Sequence, residues 1–211
     1  MATKRAVLQK KVSTPIPKGS VIVGNTAEYT VNGVKVIIHT DEWNDFEVDP
    51  GSDAQTNFVF YTEWQNLENY QFDQATGRVT VYKPTGKLHC KIKTYYLSTV
   101  NKGAQSGYGR GTTRTDRKKK RTSLGFHEGR HGLDYLRYIK RNTPPKFVYK
   151  KKKIHKSKLE AEITSQIAEY TKAIVAYSAK MEKYSLHRTD CVGKPMNDSV
   201  CKVKHKHSHK H

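Results

Sequence analysis

Residues 123–139 read SLGFHEGRHGLDYLRYI. The stretch predicts a helix that starts near Ser123 or Leu124. It must stop before the paired prolines of NTPPK (142–146), which cannot continue it. Three glycines, Gly125, Gly129 and Gly132, interrupt the pattern. Each costs about 1 kcal/mol against alanine in a helix interior. Such a helix is either weak or one that another backbone, such as a sheet edge strand, approaches closely. Two histidines stand four apart around a glutamate, and residues four apart share one helix face. His127 and His131 can therefore reach a single metal ion. A chance match to these three fixed positions is expected roughly 0.02 times in a chain of this composition.

The flanks supply the rest of the fold. Upstream, AEYTVNGVKVIIHT (27–40) holds two β-branched runs that meet at Asn32-Gly33, a pair suited to a two-residue hairpin turn. TNFVFYTEW (56–64) reads as a strand. NYQFDQATGRVTVYKP (69–84) reads as a hairpin turning near Ala75–Gly77, and KLHCKIKTYYLS (87–98) as a long alternating strand. Downstream, a second helix is predicted over 157–184. Leu159, Ile163, Ile167, Tyr170, Ile174, Tyr177, Met181 and Tyr184 fall on one face of it as a core-packing stripe. The expected fold class is α+β: an antiparallel sheet, then the HExxH helix, then a second long helix, which is the zincin-like order.

The chemistry expected of HEGRH follows from its spacing. Imidazole suits zinc, which in catalytic sites takes three protein ligands and leaves a fourth position for water. Glu128, about 100° around the helix from His127, is placed to act on that water as a general base. The third ligand is less determined. No histidine occupies Tyr135–Tyr138, which excludes the extended metzincin pattern. Glu160 and Glu162 flank the apolar stripe of the second helix, with Glu160 nearer its centre. His187 and Asp190 lie in YSLHRTDCVG (184–193), just past the predicted helix end, and Asp134 is a partner on the first helix. His187 and Glu160 are the leading candidates.

The formal net charge is +20, with pI near 9.8 and mean hydropathy −0.81. This balance favours anionic surfaces, nucleic acid or acidic proteins as partners. The division expected is a basic flexible arm (1–19), a zincin-like domain (20–190) with a basic mobile loop at 101–122, and a Lys/His-rich tail (191–211). No run approaches the ~20 apolar residues of a membrane span. The basic start lacks an apolar segment before Pro15 and Pro17, so no secretory signal is expected, and the protein is cytoplasmic or exported by another route. Cys90 reads as a core residue, while Cys191 and Cys201 can close a loop in an oxidising compartment.

Three segments carry a resemblance to a bacterial domain-of-unknown-function family described as zinc-dependent proteases. EWNDF (42–46) resembles its early Trp-x-Asp-Phe segment, LGFHEGRHGLDYLRYI (124–139) its HExxH helix, and YSLHRTDCVG (184–193), more loosely, its closing segment. The resemblance spans roughly residues 42–193. It implies a zinc-dependent peptidase with His127 and His131 as ligands and Glu128 as base, and it favours His187 as third ligand. The alternative is a basic nucleic-acid-binding or structural particle protein whose HEGRH is non-catalytic.

Overall fold

The computed structural model describes residues 2–151, 153–196 and Cys201. Its first element corrects an expectation. The segment read as a flexible arm forms helix α1 (Ala2–Lys11) and a following irregular stretch. Leu8, Val12 and Ile16, four residues apart, are buried in the main core. Burying such a side chain is worth about 1.5–3 kcal/mol, and Lys4, Lys10, Lys11 and Lys18 stay exposed around them. The Arg5 guanidinium donates to the carbonyl of Ile16 at 2.6 Å, which folds the stretch back on the helix.

Strands β1 (Val21–Val23), β2 (Thr26–Val31) and β3 (Val34–His39) form an antiparallel meander. The β2–β3 turn is the predicted Asn32-Gly33, with φ of 49° and 77°. After the short β4 (Glu42–Trp43), the long β5 (Ala54–Gln65) runs out to a small sheet. That sheet holds β6 (Tyr70–Asp73), β7 (Arg78–Val81) and, later in the chain, β9 (Lys153–His155), packed on Val79, Val81, Ile154 and Leu159. Strand β8 (Thr85–Tyr96) returns antiparallel to β5 along their whole lengths.

The main sheet is mixed rather than antiparallel, because β8 pairs parallel with β3 and β4. Side-chain alternation is the same in both kinds of pairing, so the sequence pattern does not carry the difference. Strands β3 and β4 share one edge of β8, and β5 fills the other. Among the described residues, no strand pairs with the outer edge of β5.

Leu88, Cys90 and Ile92 of β8 and Val34, Val36 and Ile38 of β3 are buried. Against them pack helix α3 (Leu124–Arg141), through Tyr135, Leu136 and Ile139, and helix α4 (Leu159–Thr189), through Tyr177 and Met181. The short α2 (Arg114–Lys118) lies in the connection from β8 to α3. Helix α4 runs five residues beyond its predicted end, with consequences for the site. No helix among the described residues is long and apolar enough to cross a membrane.

Candidate metal centre

Ser123 caps α3 by accepting from the Phe126 amide, so the helix starts where its sequence predicts. That start sets His127 and His131 one turn apart on the flank facing the end of α4. The backbone there continues into Asp190, the C-cap residue. Its Oδ1 lies 3.0 Å from Nε2 of His127 and 3.0 Å from Nε2 of His131. All three residues are buried, and their ligand atoms lie within 4.8 Å of one another: a group that could hold a metal ion.

The opposite ring nitrogens fix the histidines' orientation. His127 Nδ1 lies 3.0 Å from the Arg110 carbonyl, and His131 Nδ1 lies 2.9 Å from Ser185 Oγ. A hydrogen bond at Nδ1 leaves Nε2 as the coordinating atom, the usual arrangement around metal-bound imidazoles. Among the described residues, His127 Nε2 is moreover buried without a hydrogen-bond partner despite its closeness to Asp190. A lone pair in that position suits a cation. The donor set of two imidazoles and one carboxylate fits zinc chemistry.

Electrostatics tie the three together. Burial would raise the Asp190 carboxyl, but the contacts with His127 and His131 bring it down to about 2. Burial would lower His127, yet contact with Asp190 and the charges of Glu128 and Asp190 raise it above its ordinary value.

Glu128 is 2% exposed, and its Oε2 accepts from Thr56 Oγ1 of β5 at 2.8 Å. Thr56 in turn shares a 2.9 Å hydrogen bond with Thr94 of β8, and its carbonyl accepts from Tyr135. The carboxylate is thereby anchored to the sheet. It lines one pocket with His131, Asp190, Tyr108 and residues 54–59 of β5. Tyr108 packs edge-on against His127, its ring centre 5.0 Å away. Burial and the negative charges of Asp190 and Glu128 push its phenol well above the ordinary range, so it stays protonated.

The structure thus brings His127, Glu128 and His131 together as their spacing predicts, and it changes the third partner. Glu160 is exposed at the start of α4, about 45 Å along the helix from Asp190 at 1.5 Å per residue. His187 sits within α4 and is not among the converging ligand atoms. Asp190, a lesser candidate in the sequence, is the residue whose carboxylate meets the two imidazoles. Asp134 has a supporting role: buried, it accepts from Thr189 Oγ1 at 3.2 Å and so tethers the residue before Asp190.

The loop expected to be mobile belongs to the site. The Arg110 amide donates to the Thr189 carbonyl and the Gly109 amide to the Lys194 carbonyl, while Arg110's own carbonyl holds His127. Asp116, an acid within the basic run, accepts from Arg110 Nε and Nη2, the Gly111 amide and Thr113 Oγ1. Burial would raise that carboxyl, but these bonds hold it far below the usual carboxylate range. Gly109 is required where it stands: its φ is +60°, and a Cβ there would lie 2.3 Å from the Thr189 carbonyl oxygen and 2.9 Å from the His127 ring. Beyond Asp190, Cys191 is disulfide-bonded to Cys201. The Lys/His-rich stretch 202–211 lies outside the described residues.

Comparison with family models, curated proteins and solved structures finds no match to this chain.

Proposed function

We propose that this protein is a zinc-dependent peptidase with His127, His131 and Asp190 as ligands and Glu128 as general base. The observation that carries the reading is the buried convergence of these three donors beside Glu128, whose carboxylate lines one pocket with two of them, His131 and Asp190. Zinc bound by two imidazoles and a carboxylate supplies a Lewis acid and a water that ionises near neutral pH. Glu128, held by Thr56, accepts the proton of the attacking water and passes it to the leaving amine. Residues 54–59 of β5 line the pocket, and the edge of β5 away from β8 is unpaired among the described residues, so an extended peptide can add to it through main-chain hydrogen bonds. The Cys191–Cys201 bond fits an oxidising compartment and thus the exported branch of the sequence expectation.

The test is proteolysis of a denatured protein substrate by the zinc-loaded chain and by Glu128→Gln. The expected result is a loss of about 100-fold or more in rate with zinc content unchanged. Undiminished activity in Glu128→Gln overturns the reading. So does salt-sensitive nucleic-acid binding, unaffected by chelation, in a chain without peptidase activity; that outcome belongs to the basic binding protein.

A further inference from the structure

Helix α3 carries a second cluster of charge, about 100° around the helix from His131. Arg130, Asp134 and Arg137 stand at steps of four and three on one flank. Buried Asp134 accepts from Arg137 Nη1 at 3.1 Å and from Arg188 Nε at 3.3 Å. Arg110, on the neighbouring loop, is gripped by Asp116 at 2.8 and 2.6 Å. Two buried carboxylates therefore serve three guanidiniums, and Arg130 has neither of them as a hydrogen-bond partner. Its Nε is buried and without a hydrogen-bond partner among the described residues. Arg110 lies over the ring of Phe126, one turn before Arg130 on the same flank of α3, 5.6 Å from the ring centre. A guanidinium stays protonated at neutral pH. Arg130 is half-buried, and a guanidinium whose Nε is buried and unpaired is a destabilising arrangement that a bound anion can relieve.

We propose that the Arg110–Arg130–Arg137–Arg188 cluster is a binding site for a phosphate group, with Arg130 as the donor left open for it. A guanidinium meets phosphate or carboxylate through paired N–H···O bonds. A phosphate group suits this place better, because it spreads more charge over more oxygens and can answer several guanidiniums at once. Residues 117–121 (RKKKR), exposed and next in the chain to Arg110's partner Asp116, add positive charge that a phosphodiester could also meet.

The experiment titrates the full zinc-loaded chain by calorimetry with inorganic phosphate and, separately, with a single-stranded oligonucleotide. Saturable binding that weakens about ten-fold or more in Arg130→Gln, and within about two-fold in Lys140→Ala on the exposed end of α3, is the expected result. Loss with inorganic phosphate alone assigns the site to a free phosphate group; loss with both assigns it to a phosphodiester. Should Arg130→Gln fail to fold, Arg130→Lys gives the same comparison, since it keeps the charge and removes the planar fork. Equal binding by wild type and variant overturns the proposal. So does the absence of saturable binding below about 10 mM, or tighter binding of polyglutamate than of either phosphate probe. None of these outcomes depends on peptidase activity.

Discussion

Asp190 and His127 pull each other's protonation in opposite directions, and this fixes how the metal-free site responds to pH. The Asp190 carboxyl is lowered from 3.8 to about 2, so its contribution to stability is present above its ordinary value and is lost as pH falls toward 2. His127 is raised above 6.5, so its contribution is present below that value and is lost as pH rises through the raised one. A bound metal requires neutral imidazoles and works the other way. The difference in Tm between zinc-loaded and chelator-treated protein should widen between about pH 5.5 and pH 8. Calorimetry in a series of buffers measures it, and a gap that is flat or narrows with rising pH contradicts the ligand assignment.

At the scale of elements, the glycines of α3 show what its sequence could and could not say. Their number signals close approach by another backbone. The partner is the stretch after α1 rather than a sheet strand: a Cβ at Gly129 would lie 2.2 Å from the Ser13 carbonyl oxygen, and one at Gly132 would lie 2.0 Å from Thr14 Oγ1. Alanine would gain about 1 kcal/mol in helix propensity, but overpacking costs about 1–3 kcal/mol, and these contacts are with atoms that have little room to shift. Gly129→Ala is therefore expected to lower Tm by several degrees, read by circular dichroism; an unchanged or raised Tm would mean that α1 and its following stretch do not pack there. The bounds of α3 and the Asn32-Gly33 turn are legible because a cap, paired prolines and a φ-restricted pair act locally. The arm at 1–19 was misread because its lysines masked the spacing of Leu8, Val12 and Ile16. The loop at 101–122 was misread because polar bonds centred on Asp116, rather than apolar burial, hold it. Asp190 ranks below His187 in the sequence because of the length of α4: a helix ending near Tyr184 leaves His187 in a loop, whereas one running to Thr189 keeps His187 helical and brings Asp190 to the two imidazoles.

For the whole molecule, the centre lies where three parts of the chain meet. The sheet supplies Thr56 to hold Glu128, α3 supplies Glu128 and both histidines, and the end of α4 supplies Asp190. The connection between β8 and α3 closes this junction through the Arg110 carbonyl. The order of sheet and helices was readable from hydrophobic period, while the parallel β3–β8 pairing and the docking of the loop on α4 depend on contacts between distant segments that no local pattern reports. The most direct measurement of which residues hold the ion is zinc content by mass spectrometry, after equilibration against buffered zinc, for wild type, Asp190→Ala and His187→Ala. The prediction is about one zinc per chain in wild type and His187→Ala, with affinity at least about ten-fold weaker in Asp190→Ala. Zinc retained by Asp190→Ala, or lost from His187→Ala, would contradict it.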